Sequence, residues 1–162
     1  MIALLDNTVL SNFAIVARPE LIRDALGDAA ATVEETFAEF QTGVQLGRLP
    51  ASDWSWLRVL RLDESERATY EQLRTRLNAG EAACLALAAM RGYRVFTDDR
   101  DAREIARQMQ IPISGPVGLL ARLVQQNQLA LQQANDLLSQ MIAAGYRAPI
   151  TDLAGILPTL PK

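Results

Sequence analysis

Short apolar runs alternate along this chain with longer segments of helical period. Ile2 to Leu5 is wholly apolar and ends at Asp6, as a strand buried on both faces does. Thr8 to Val16 and Glu20 to Leu26 read as helices, the second entered through Pro19 and stopped by Gly27. Ala30 to Val33 is a second strand, and Thr36 to Leu46 repeats Phe37, Phe40 and Val44 at roughly helical spacing. Trp56 to Leu62 sets Leu57 and Val59 against Arg58 and Arg61, the alternation of a third strand. Asp63 or Ser65 offers a cap for a helix to about Leu77. An Ala-rich helix follows the break at Asn78-Ala79-Gly80 and runs to Met90. Arg94 to Thr97 is then a strand, Arg100 to Met109 a helix and Ile111-Pro112-Ile113 a last short strand. Helices follow from Gly115-Pro116 to about Val124 and from Leu131 to Ala143, where Gly145 stops the second, and Pro149 to Leu157 adds a short helical piece.

Strands separated by helices predict an α/β fold of three layers, with a central parallel sheet of about four or five strands between helices. The length, 162 residues, suits a single domain over 1–162, its C-terminal helical part at about 115–157. Open sheets of this kind collect their sites beyond the carboxyl ends of the strands. Asp6 and Asp98-Asp99 fall there directly, and Glu39 and Glu81 fall in early helical turns that point at the same edge.

Composition narrows the chemistry. There is no His, so imidazole-held zinc and Ser-His-Asp catalysis are excluded, and one cysteine, Cys84, excludes an internal disulfide. Its apolar helix makes Cys84 a small buried hydrophobe. No apolar run spans a membrane and no secretory leader is visible, which predicts a cytoplasmic protein with no membrane contact. The net charge is −3, against a tight non-specific nucleic-acid binder but not against an enzyme that meets nucleic acid at one patch. Lys162 is the only lysine; the remaining positive charge is arginine.

Each acid has an ordinary structural reading. Thr36-x-x-Glu39 and Asn78-x-x-Glu81 fit capping boxes, Asp98 with Asp101 fits another helix start, and Asp6 fits a cap for the first helix. Four carboxylates on one edge, however, repel one another unless a cation is present. Oxygen-only ligands suit Mg²⁺ or Mn²⁺, and carboxylate-held metal activating water on a phosphodiester is the chemistry this composition leaves. Glu34 and Glu35 rival Glu39, because the end of the second strand is poorly marked.

Asp6 after the first strand, Glu39-Phe40-x-x-Gly43, Gly80-Glu81-Ala82-Ala83 and Thr97-Asp98-Asp99-Arg100-Asp101, in that order, resemble the PIN domain, the family of VapC-type toxin ribonucleases. Gly115-Pro116-Val117-Gly118-Leu119-Leu120 and Ala144-Gly145-Tyr146-Arg147 extend the resemblance to a prokaryotic PIN-like subfamily and over nearly the whole chain. The resemblance implies a metal-dependent endonuclease, usually acting on RNA, with Asp6, Glu39, Glu81 and Asp99 as catalytic metal ligands. It makes Asp101 a second, more variable acid, and Thr8 and Thr97 supporting polar residues. It also implies an antitoxin protein as partner and a homodimer. Thr8 stands where the family often has Asn or Ser, and Gln125 to Gln128 where the subfamily often carries lysines.

Arg100 and Arg103 are the candidates for holding a nucleic-acid backbone, against a reading of that helix face as solvated surface. Trp54 and Trp56 are read as core or interface aromatics rather than base-stacking platforms. Surplus apolar surface on the helices of Thr8–Leu26 and Gly115–Ala144 adds to the expectation of a pair. A phosphatase of the haloacid dehalogenase type needs a second Asp two residues after the first, and Thr8 stands there instead of that Asp. A PIN-like module that binds a partner and cleaves nothing is the other rival.

Overall fold

A computed structural model describes residues 1–158. The last four residues of the expected domain, Lys162 among them, lie outside the described residues. Five strands, β1 (Ala3–Leu5), β2 (Ala30–Val33), β3 (Arg58–Leu60), β4 (Arg94–Phe96) and β5 (Ile113–Ser114), form one all-parallel sheet in the order β3-β2-β1-β4-β5. The helices are α1 (Asn7–Ile15), α2 (Glu20–Leu26), α3 (Glu34–Gln45), α4 (Glu64–Leu73), α5 (Ala79–Arg91), α6 (Arg100–Gln108), α7 (Pro116–Gln125) and α8 (Leu131–Ala143). Among the described residues no helix is long and apolar enough to cross a membrane.

The period of two along each strand divides the core into two layers. Ala3, Leu5 and Phe96 face a core shared with Leu10 and Phe13 of α1, Ile22 of α2, Leu120 of α7 and Leu138 of α8. Leu4, Ala31 and Val95 face the other way, onto α5 and α6. The first helical layer spends its apolar faces inside the chain. Among the described residues the large exposed hydrophobics are Met1, Ile15, Leu46, Val59, Met90 and Ile156, of which only Ile15 belongs to α1, α2, α7 or α8.

Several expected elements shift for identifiable reasons. β3 keeps only the centre of the alternating run. Trp54 packs edge-on against Phe40 with ring centroids 5.1 Å apart, and Leu57 N–H closes a turn onto the Trp54 carbonyl at 2.9 Å. Trp54 is thus core, as expected, and Trp56 stacks partly on it. β5 begins at Ile113, because Ile111 N–H is drawn back to the Ala106 carbonyl to end α6 and Pro112 has no N–H to offer. α3 starts at Glu34, two residues early, so the expected Thr36–Glu39 capping box does not exist. Asp99, not Asp98, caps α6. α4 ends at Leu73 rather than near Leu77, and the C-terminal piece is a single 3₁₀ turn at Leu153–Gly155.

α4 is fastened to α5 chiefly by the ion pair of Glu66 with Arg91. Glu66, 1% exposed, accepts from Arg91 Nε at 2.5 Å and Nη2 at 3.0 Å, and its second oxygen also takes the Asp63 N–H at 2.7 Å. Glu66→Ala leaves the half-buried Arg91 guanidinium with only the more distant Asp63 carboxylate, 3.9 Å from Nη2, as counter-charge. The expected loss in a urea melt is on the order of 3 kcal/mol, the low end for a broken buried pair because Arg91 keeps some water contact. A loss below about 1 kcal/mol would reduce the pair to a surface decoration.

Candidate functional site

Strand order decides where the site lies. From β1 the chain moves outward through β2 to β3; it then crosses back to β4 and continues to β5. The direction reverses between β1 and β4, and the crevice beyond their carboxyl ends is the position where such sheets bind ligands.

Asp6 follows β1 directly. Its N–H continues the sheet ladder to the Phe96 carbonyl at 3.0 Å, while its side chain caps α1 by accepting the Asn7 N–H at 2.7 Å. The other carboxylate oxygen accepts from the Thr97 hydroxyl at 2.8 Å. Thr97, 1% exposed after β4, also receives the Asp99 N–H at 3.2 Å, so one buried hydroxyl ties both strand ends together. Asp99 spends Oδ1 on the Ala102 N–H at 2.8 Å, capping α6.

Glu81 sits in the first turn of α5 as the acid of a true capping box. Asn78 Oδ1 accepts the Glu81 N–H at 2.9 Å, and Glu81 Oε2 accepts the Asn78 N–H at 3.2 Å. Glu39, in the second turn of α3, has no capping role and is reached by solvent. Gly80 brings the two glutamates' helices together: a Cβ there would lie 2.7 Å from Thr36 Oγ1, 3.2 Å from Thr36 Cα and 3.5 Å from Glu39 Oε2. Gly80→Ala must therefore part α3 from α5. The expected cost is about 1–3 kcal/mol in a denaturant melt, the range for overpacking a fitted contact. An unchanged midpoint would mean that Thr36 yields freely.

The acids feel one another. Burial pushes the Glu81 carboxyl up to about 7, with the charges of Asp6, Asp99 and Glu39 adding to it. Burial also pushes Asp6 up to about 6, against the hydrogen bonds from Thr97 and Asn7, and Glu39 and Asp98 add repulsion. Glu39 is raised by partial desolvation. Asp101 is exposed on α6 and contributes to none of these shifts. Of the rivals, Glu34 is taken by Arg61 at 2.6 Å on the surface, and Glu35 is half-buried with Oε2 unpartnered.

The donor set fits a hard divalent cation. It is all oxygen, and two of its members carry a desolvation cost that a cation would offset. Among the described residues no three acidic side chains lie close enough together to hold a metal ion as they stand. The fit is to an ion that takes few carboxylates and keeps several waters, as Mg²⁺ does.

A cavity of about 670 Å³ opens beside the acids, lined by Asn7, Thr8, Ser11 and Asn12 on one face of α1 and by Asp98, Asp99 and Arg100 opposite. Glu39 lines an adjoining one of about 410 Å³ that shares Asn7 and Ser11. Thr8 Oγ1 is buried without a partner. Arg100 is exposed at the mouth. Arg103 instead donates Nη1 to the carbonyls of Thr97 at 2.7 Å and Ser114 at 3.2 Å, bracing the ends of β4 and β5. Sequence alone picks out only Thr8 on the polar face of α1, and Tyr146 and Arg147, across the cavity, only as part of the family resemblance, with no role at the site. The spacing of Asn7, Thr8, Ser11 and Asn12 was the available signal for the rest of that face.

Across residues 2–160 the chain matches a family model described as a PIN domain. No curated protein matches it. PIN domains are generally nucleases that usually employ divalent metals. The match runs from β1 past α8 and takes in both layers and all four acids, so the chain belongs to the PIN-domain family.

Proposed function

We propose that this chain is a metal-dependent endoribonuclease in which Asp6, Glu39, Glu81 and Asp99 hold Mg²⁺ or Mn²⁺. The observation that carries the reading is the elevation of both Asp6 and Glu81 at the strand-reversal point, raised first by burial and then by neighbouring carboxylates, Glu39 and Asp98 at Asp6 and Asp6, Asp99 and Glu39 at Glu81. Bound metal supplies acidity to the attacking water and charge neutralisation at the scissile phosphate. Thr97 fixes the rotamer of Asp6, and the Asn78 box fixes Glu81, so both acids are oriented before substrate arrives. Asp6 and Asp99 hold the principal ion, with Glu39 and Glu81 across the crevice. Asp101 takes no part. Arg100, free at the cavity mouth, contacts the RNA backbone without reading bases. Arg103 serves that contact only through the N–H groups it does not spend on Thr97 and Ser114.

The test is cleavage of RNA oligonucleotides by the purified chain, with EDTA or with Mn²⁺ or Mg²⁺, against Asp99→Asn. Metal-dependent cleavage lost in the variant supports the reading. Activity that survives EDTA overturns it, and RNA bound but left intact favours the non-catalytic module, which the net charge of −3 suits.

In the cell we propose a cytoplasmic toxin, restrained by an antitoxin protein and paired as a homodimer, with residues 1–162 as one domain. Induced wild type should then arrest growth where Asp99→Asn does not, and light scattering at micromolar concentration should give twice the chain mass.

A further inference from the structure

We propose a second, phosphate-binding site on the flank of the sheet, formed by Arg94 and Arg122 and separate from the acidic crevice. A cavity of about 380 Å³ lies over the β4–β5 edge against α7, lined by Arg94, Phe96, Ser114, Gly118, Arg122, Gln125 and Gln126. Its lining holds two guanidinium groups and no carboxylate. Among the described residues neither arginine has an ion-pair partner. Both Nε atoms are buried, and neither has a hydrogen-bond acceptor.

The elements build this arrangement deliberately. Arg94 and Phe96 are two apart on β4 and share a face, so the Arg94 guanidinium lies over the Phe96 ring, 5.0 Å from its centroid. Gly118, Arg122, Gln125 and Gln126 follow the helical repeat along one face of α7. A Cβ at Gly118 would fall 2.0 Å from Ser114 Oγ, so the absent side chain leaves the room in which that hydroxyl stands.

Two like charges sharing one cavity repel, and buried N–H donors without acceptors are unfavourable. A tetrahedral oxyanion resolves both: it neutralises the pair and accepts from the planar fork of each arginine, with Ser114 and the glutamine amides supplying neutral hydrogen bonds. The ligand is therefore a phosphate group, whether of a free phosphate, of a nucleotide or of an RNA strand. The proposal goes beyond the nuclease reading and does not depend on it.

The test is run without divalent metal, in EDTA, at fixed ionic strength. Inorganic phosphate and a nucleoside 5′-monophosphate are titrated by calorimetry, and an RNA oligonucleotide by fluorescence anisotropy. Arg122→Gln and Arg94→Gln should each weaken the bound probe at least tenfold. Gln126→Glu, at an exposed position, places a negative charge in the lining and should do the same without touching the core. Arg107→Gln, on α6, should change nothing. Phosphate and nucleotide weakened with RNA unaffected identifies a small ligand; RNA weakened as well, with phosphate competing, identifies a strand. No binding of any probe by wild type, or affinities unchanged in both Arg122→Gln and Gln126→Glu, would overturn the site. Cleavage in the metal assay is read separately, so failure here leaves the nuclease reading intact.

Discussion

Asp6→Asn should abolish metal-dependent cleavage and, in the metal-free protein, raise stability at pH 8. The loss of rate follows from removing a charged ligand where charge develops; taking away a single preorganised electrostatic element costs about 10²–10³ in kcat. The gain in stability follows from burial. Asp6 is 2% exposed, and burial is the largest cause of its elevation to about 6. Asn is neutral and nearly isosteric. Its carbonyl still accepts the Asn7 N–H, and its NH₂ donates to Thr97 Oγ1, whose hydroxyl rotates away. The elevation from 3.8 to about 6 corresponds to at most about 3 kcal/mol, and it is present only where the wild-type acid is ionised. The gain should therefore shrink towards zero at pH 4. That pH dependence separates the charge effect from any general repacking. Equal cleavage by Asp6→Asn and wild type would sink the metal-site reading. A stability gain identical at pH 4 and pH 8 would sink its electrostatic explanation.

Local pattern carried most of the fold, because buried parallel strands and amphipathic helices write their periods into neighbouring residues. Asp6, Glu81 and Asp99 were legible for a similar reason: each follows a strand or opens a helix, Asp6 and Asp99 as N-caps and Glu81 as the third residue of the box that Asn78 caps. Glu39 was legible more weakly, as an acid in an early helical turn with Glu34 and Glu35 as rivals, and the resemblance to a family pattern singled it out. Its nearness to the α5 start depends on Gly80 meeting Thr36, a contact between segments 44 residues apart with no local signature. The same contact removes its ordinary explanation, since Thr36 lies buried with its hydroxyl 3.7 Å from Cys84 Sγ and caps nothing. Arg103 ran the other way. In sequence it belongs to an arginine-rich helix face, yet it reaches two backbone carbonyls at strand ends. Long flexible side chains choose partners by tertiary placement, which periodicity does not encode.

Removing metal should make the wild-type protein lose stability as pH rises from about 4 to about 7, and restoring it should reverse that loss only at the upper end. Asp6 and Glu81 both have folded-state values above their ordinary ones of 3.8 and 4.5. A carboxyl group with a raised folded value favours the folded state fully below its unfolded value. That advantage is spent once pH has passed through the folded one, about 6 for Asp6 and about 7 for Glu81. The surface acids Asp53, Asp63 and Asp152 are lowered by their own hydrogen bonds, so their contribution is lost only as pH falls below about 4. The metal-free optimum should thus lie near pH 4–5. Asp6 and Glu81 repel each other, so their contributions do not simply add. Mg²⁺ or Mn²⁺ binds the ionised site and competes with protons for it. A saturating ion should raise the melting temperature by roughly 5–10 °C at pH 8, taking 2–4 °C per kcal/mol for a chain of this size, and by little at pH 5. The measurement is a thermal melt across pH 4–9 with EDTA and with each ion. Glu81→Gln should flatten the metal-free profile near pH 7 and reduce the response to the ion. A metal-free protein that gains stability from pH 5 to pH 8, or an ion effect of the same size at both, would show that these acids do not share a cation.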